Sequence, residues 1–138
     1  MARQARLFLA VGLGASLGSV ARYLGSLGMV YLLGTGFAWG TLTVNMVGSF
    51  LIGLYATLTE PDGRLMAGPA MRQFVLAGFC GGFTTFSIFS LENLLLVERG
   101  AVGLAGINVV VSVALWLLAV WIGYRIAARL NRLKGAES

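Results

Sequence analysis

The densest group of side chains that could do chemistry lies between Gly78 and Ser90, inside a long apolar segment. Two adjacent glycines precede two adjacent threonines there, with phenylalanines and serines close by. Glycine destabilises a helix by about 1 kcal/mol relative to alanine, so the run predicts an interrupted helix. At membrane depth, irregular backbone is tolerated only where protein buries it or where it lines a wet cavity. We therefore expect the functional site in this run.

Two aromatic rings in the run could recognise an anion. Phe86 and Phe89 are three residues apart, so the spacing predicts that they share one face of a helix. A phenyl edge carries the positive part of the ring quadrupole, and Thr84, Thr85 and Ser87 add hydroxyl donors. An aromatic stripe at this spacing more often belongs to a core or faces lipid. On the residues alone, both interpretations stay open.

Uncharged polar pairs occur in two other apolar segments. Thr41 and Asn45 are four residues apart, and so are Asn108 and Ser112. An amide in the middle of a bilayer is costly unless it is bonded, and it supplies two donors. Asn45 is therefore either a contact between helices or a ligand of a permeating ion. Neutral donors suit a small anion that must bind and also leave.

Two ionisable residues also lie within or beside the apolar segments. Arg22 is near the end of the first segment, where it either extends to the interface or lines a cationic vestibule. Glu92 is the one acidic residue inside a predicted span, and a helix-end or subunit-contact role suits it better than proton transport.

The composition is that of an integral membrane protein. Of 138 residues, 58% are hydrophobic and 11% are charged, against roughly a quarter charged in soluble domains. The net charge of +5 comes from basic residues flanking the apolar segments, which indicates orientation signals and not nucleic-acid binding. With no histidine and one cysteine, intrachain disulfides and zinc clusters are excluded. No pair of nucleophile and base is present, so we expect no enzyme.

The apolar pattern predicts one all-α domain over residues 1–138. Its four predicted membrane-spanning helices cover residues 7–27, 39–58, 71–97 and 102–125, each near the roughly 20 residues that a bilayer requires. Gly14 and Gly18 form a small-residue pair that predicts close contact within one subunit. Four short helices barely enclose a pathway, so we expect a second copy to complete it. Taken alone, the excess of lysine and arginine on one side would place both termini in the cytoplasm by the positive-inside rule.

Taken together, these residues resemble the Fluc/CrcB family of small membrane fluoride channels, over nearly the whole chain. The resemblance rests on three motifs: Gly14-Ala15-Ser16-Leu17-Gly18 with Arg22-Tyr23, the run from Gly40 to Asn45, and Gly-Gly-x-Thr-Thr-Phe-Ser-x-Phe-Ser followed by Glu92. The last motif, with an asparagine one span earlier, is highly specific. The chain has Ile88 where the family usually has threonine, and Asn108 where some members have tyrosine.

The resemblance implies an antiparallel, dual-topology homodimer of four-helix subunits with a broken third helix, in the bacterial-type inner membrane. It implies passive export of fluoride, with membrane lipid and a second copy of the chain as the other partners. The backbone carbonyls of Gly81 and Thr84 would hold a structural Na⁺ between subunits. The resemblance implies a fluoride pathway formed by Asn45, Phe86, Phe89, Thr41 and Ser112. The residues themselves add Ser87 and Asn108 to this pathway, with Arg22 as its vestibule.

Two other membrane functions were weighed against the channel. A small multidrug-resistance-type, proton-coupled transporter needs an intramembrane carboxylate, and Glu92 is poorly placed for one. A membrane assembly factor without transport activity would explain the glycine-rich segments but not a broken helix with polar groups. The channel is therefore the preferred interpretation.

Overall fold

The computed structural model describes residues 1–135, with side chains as far as Leu133, so the end of the predicted domain lies outside the described residues. Its segments are α1 (Ala2–Leu33), α2 (Trp39–Leu58), α3 (Pro69–Gln73), a π-helical segment (Phe74–Cys80), α4 (Gly81–Phe83), α5 (Ser87–Glu98) and α6 (Val102–Gly135). Four helical stretches, Ala2–Leu33, Trp39–Leu58, Pro69–Glu98 and Val102–Leu133, are long and apolar enough to cross a membrane. The prediction of four spans is confirmed, with the second at its predicted bounds.

Short links hold consecutive spans side by side. Gly34 ends α1 with φ of +76°, and Gly100 turns the chain between α5 and α6 with φ of +77°. Both values lie in the left-handed region that glycine adopts without steric cost. In the longer link, the Gly63 N–H donates to the Glu60 carbonyl at 2.8 Å, which closes a tight turn.

Helix α1 packs directly on the backbone of the third span. A Cβ atom at Gly14 would meet the Phe74 carbonyl, and one at Gly18 would meet the Phe79 carbonyl. The predicted role of this glycine pair in contact within one subunit is therefore confirmed. Both carbonyls belong to the π-helical segment, so α1 supports the part of the third span that departs from α-helical geometry.

Helices α2 and α6 form the centre of the subunit. A Cβ atom at Gly53 would meet the Val120 carbonyl, and one at Gly123 would meet the Phe50 carbonyl. These reciprocal contacts bring the two backbones close together over their second halves. The arrangement leaves the inner faces of α2 and α6 to position polar side chains toward α5.

The third span is broken, as predicted, but at the threonines and not at the glycines. Gly81 and Gly82 remain helical in α4, and regular structure is lost from Thr84 to Phe86. Gly82 serves contact instead, because a Cβ atom there would meet the backbone of Ala15. Glycine is thus needed here for the approach of α1, while the break has a separate cause.

Candidate functional site

Asn45 of α2 holds the break in the third span. Its Nδ2 donates to the Thr85 carbonyl at 2.7 Å, and its Oδ1 accepts from the Thr85 N–H at 2.7 Å. Both residues are buried. Buried backbone groups that leave a helix must find other partners. One amide side chain therefore replaces both bonds that Thr85 loses by leaving the helix.

Thr84, the neighbour of Thr85, packs against the next turn of α2. Thr84 is extended, with φ of −85° and ψ of 161°, and a Cβ atom at Gly48 would meet its methyl group. The Thr84 hydroxyl donates back to the Cys80 carbonyl at 2.9 Å. Asn45 and Gly48 share one face of α2, so this face matches the shape and the polarity of the break.

The break changes the bonding of two carbonyls. In a continuous helix, the Gly81 carbonyl would accept from the Thr85 N–H and the Thr84 carbonyl from the Ile88 N–H. Here the Thr85 N–H is bonded to Asn45, and the Ile88 N–H donates to the Thr85 hydroxyl oxygen at 3.2 Å. The side chains of Asn45 and Thr85 therefore take the helical partners away from the Gly81 and Thr84 carbonyls.

The two predicted aromatic rings lie together but in different surroundings. Their centroids are 5.8 Å apart with planes at 48°. Phe89 is 5% exposed, whereas Phe86 is 73% exposed. Phe86 directly precedes α5, and its carbonyl accepts from the Ser90 N–H at 2.9 Å, so the three-residue spacing brings the two rings together as predicted.

Trp116 of α6 supports the buried ring and was missed by the sequence analysis. Its ring meets Phe89 edge to face, at 4.9 Å between centroids and 69° between planes. The indole N–H donates to the Leu42 carbonyl of α2 at 3.3 Å. Trp116 also lines a pocket of about 220 Å³ with Asn45, Phe86 and their neighbours. Its position four residues after Ser112, on the same face of α6, was the available signal.

A second polar line joins α5 to α6. The Ser112 hydroxyl donates to Asn108 Oδ1 at 3.2 Å, as the four-residue spacing indicates, and Asn108 Nδ2 donates to Asn93 Oδ1 at 3.1 Å. Asn93 Nδ2 in turn donates to the Phe89 carbonyl at 2.8 Å. Asn108 and Ser112 are each 1% exposed. Asn93 was not singled out in the sequence.

Thr41 lies away from this line and is bonded to the intramembrane acid. Its hydroxyl donates to Glu92 Oε1 at 2.7 Å, which joins α2 to α5 inside the subunit. Among the described residues, Glu92 Oε2 is buried without a hydrogen-bond partner. Glu92 also borders a cavity of about 320 Å³ with Arg99 and Ser26. The carboxyl group is therefore hydrogen-bonded at one oxygen and buried without a partner at the other.

The remaining predicted residues are less closely joined. Ser87 is exposed, with its hydroxyl 3.3 Å from that of Thr85. Arg22 is half-buried on α1. The structure thus brings Asn45 to the break, Asn108 to Ser112, and Thr41 to Glu92. It gives Arg22 no hydrogen bond to the predicted pathway residues within the described side chains.

Comparison with known proteins places this chain in a family. The model of the family described as "CrcB-like protein, Camphor Resistance (CrcB)" matches residues 9–124. The chain belongs to the CrcB family. The members of this family are not enzymes.

Relatives of this CrcB chain align over almost its full length. It is 52% identical to "Fluoride-specific ion channel FluC 1" of Rhodopseudomonas palustris, over 96% of this chain and 94% of that protein. Identity to "Fluoride-specific ion channel FluC" of Opitutus terrae is also 52%, over 94% and 98%. For the protein of the same name from Rhodospirillum rubrum it is 46%, over 90% and 96%. The family favours a channel over the small multidrug-resistance-type transporter, and the chain is a multi-pass membrane protein.

Proposed function

We propose that this protein is a fluoride-selective channel that lets fluoride leave the cytoplasm passively. Fluoride is the conjugate base of a weak acid, so it enters as the neutral acid and is trapped as the anion. A selective leak driven by the membrane potential lowers its internal concentration. The observation that carries the proposal is the buried, uncharged amide of Asn45 at the helix break, with phenyl rings beside it. Membership of the CrcB family supports the same conclusion.

The proposed pathway runs along the inner faces of α2, α5 and α6. Asn45 keeps a second N–H for the anion, because one N–H and the oxygen are used by Thr85. Phe86 and Phe89 offer ring edges. None of these groups carries a formal charge, so binding stays weak enough for release. The remaining proposed pathway residues are Thr41, Ser87, Asn108 and Ser112.

We propose that two copies assemble as an antiparallel, dual-topology homodimer. Gly81, Phe86 and Ser87 leave an exposed face at the break in the third span. Irregular backbone facing lipid is not tolerated, so protein must cover it. A second copy of the chain, related by a two-fold axis, supplies a surface of the same composition and brings two Phe86 rings toward the two sites.

A structural Na⁺ at the dimer interface fits the carbonyls that the break sets free. Gly81 and Thr84 have lost their helical donors to Asn45 and Thr85. Unpaired carbonyls in a bilayer cost several kcal/mol each. Oxygen atoms are the ligands that a hard cation prefers. Two copies would offer four such oxygens. The bound ion would interact favourably with their partial negative charges and would not be transported.

The proposed location is the bacterial-type inner membrane, with lipid around the outer surface. Apolar side chains of α1 such as Phe8 and Leu9 are 78% and 65% exposed, which suits contact with acyl chains. Arg22, half-buried on the same helix, is proposed to line a cationic vestibule that draws anions to the pathway.

Efflux from proteoliposomes tests the proposed function directly. Reconstituted protein should release fluoride, measured with a fluoride electrode, once a potassium ionophore balances the charge. Chloride loaded in the same vesicles should stay inside. Equal release of the two anions would contradict the proposal, and release that requires a proton gradient would favour the coupled transporter instead.

A further inference from the structure

We propose that Asn93 is a positioning residue that orients the amide of Asn108 toward the fluoride pathway. The inference rests on the proposed function and assigns a role to a residue outside the predicted pathway. Asn93 lies on α5, one turn after Phe89, and its side chain is the first member of the polar line that continues through Asn108 to Ser112.

One backbone carbonyl fixes the direction of every bond in this line. The Phe89 carbonyl can only accept, so the group of Asn93 that lies 2.8 Å from it must be the NH₂. The oxygen of Asn93 therefore faces α6. Asn108 must present its own NH₂ to that oxygen, at 3.1 Å. An amide that is otherwise free to flip is in this way held in one orientation.

The same logic reaches Ser112. Because the NH₂ of Asn108 faces Asn93, its oxygen faces the serine, and the Ser112 hydroxyl must donate to it at 3.2 Å. The hydroxyl hydrogen of Ser112 is thus occupied. Asn108 retains one N–H beyond the bond to Asn93. Asn108 is therefore the member of this pair with a hydrogen to offer to an anion, and Asn93 decides where that hydrogen points.

Removing Asn93 should release Asn108 without removing any pathway residue. In Asn93→Ala, the Asn108 amide can rotate and donate to Ser112, which competes with donation to fluoride. Loss of one oriented donor corresponds to roughly a fivefold to tenfold slower efflux. The fluoride concentration for half-maximal flux should rise, whereas a variant that is merely less stable would lose maximal flux instead. Asn93→Ser should recover part of the rate, because serine can donate to the Phe89 carbonyl and accept from Asn108.

A double-mutant cycle with Asn108 provides the decisive test. Fluoride efflux is measured for wild type, Asn93→Ala, Asn108→Ala and the double variant, with thermal stability in detergent recorded for each. If Asn93 acts through Asn108, the double variant is as slow as Asn108→Ala alone. Ser16→Ala is the matched control, since the Ser16 hydroxyl also bonds its own helix, at Gly12 and 2.9 Å, but is exposed on α1.

Three results would overturn the inference. The first is an Asn93→Ala variant with the wild-type efflux rate. The second is a double variant whose efflux is slowed by the product of the two single-variant effects, which would mean that the residues act independently. If Asn93→Ala does not fold, the folded Asn93→Ser variant decides: the inference requires a raised half-maximal fluoride concentration, and an unchanged one refutes it. Wild-type protein that passes no fluoride would reject the proposed function itself, which separates that failure from a failure specific to Asn93.

Discussion

Replacing Asn45 tests how the helix break is held and what the break is for. Asn45→Ala removes one donor and one acceptor, both 2.7 Å from the backbone of Thr85. Each buried backbone group left unpaired costs about 1–3 kcal/mol, so the expected loss of stability is roughly 2–6 kcal/mol. This exceeds the average of about 0.6 kcal/mol for side-chain hydrogen bonds in membranes, because the Thr85 groups have no partner in their own helix.

A graded series separates the two bonds. Asn45→Asp keeps an oxygen for the Thr85 N–H but cannot donate to the Thr85 carbonyl when it is ionised. We expect the order of stability to be wild type, then Asp, then Ala, read as melting temperature in detergent. Both variants should abolish fluoride efflux, because each loses the N–H that is proposed for the anion and the aspartate adds negative charge.

Ser49→Ala is the matched control for this series. Ser49 is one turn along α2 and lines the same pocket as Asn45, so the control removes a polar atom and leaves Thr85 bonded. Its stability should stay near that of wild type. An Asn45→Ala protein as stable as the control would refute the argument that Asn45 holds the break. A stable and active Asn45→Asp protein would refute its place in the pathway.

Three other changes test neighbouring parts of the site. Phe89→Ile keeps the bulk but removes the quadrupole, so efflux should fall strongly while the proposed dimer persists on size exclusion; unchanged flux would leave Phe89 a core residue. Trp116→Phe keeps an aromatic edge on Phe89 but loses the bond to Leu42, so stability should fall by about 1 kcal/mol with efflux largely retained. A Cβ atom at Gly81 meets nothing within 4 Å, so Gly81→Val should fold as a monomer yet lose dimer and activity, unlike the matched Gly28→Val; normal dimerisation would count against the proposed Na⁺ site.

The spans could be predicted from sequence because they depend on local composition. The second span matches its prediction, and the helices of the others extend beyond their predicted bounds, most of all at the ends of α1 and α6. The bond between Asn108 and Ser112 could also be predicted, because residues four positions apart on one helix lie on the same face. Such features require no knowledge of which helices are neighbours.

Composition placed the break within the run of two glycines and two threonines, but not at a particular residue of it. Gly81 and Gly82 stay helical, and the irregular backbone begins at Thr84. The reason is a contact 40 residues away, the pair of bonds between Asn45 and Thr85. The π-helical segment likewise accompanies the seating of Gly14 and Gly18 against its carbonyls. Both features arise between helices, which a pattern along one helix does not report.

Phe86 and Asn93 show two further consequences of the same limit. Helical spacing correctly placed Phe86 beside Phe89. It did not show that the ring of Phe86, which precedes α5, is largely exposed. Asn93 near the end of a span resembles an ordinary interfacial residue. The bond on which its proposed role rests forms only because the short link at Gly100 brings α6 alongside, with Asn108 opposite.

The proposed site has one part that is buried within a single chain and another part that remains exposed, and this difference links the proposed assembly to transport. Asn45, Phe89 and Asn108 are buried, and the two amides are each held by hydrogen bonds inside one chain. Phe86 and the Gly81 backbone, three to eight residues before Phe89, remain exposed on the outer side of the same break. A bilayer cannot satisfy exposed backbone carbonyls. The surface that most needs a protein partner is therefore also the surface proposed to complete the ion pathway, so loss of the dimer should abolish conduction even when each subunit remains folded.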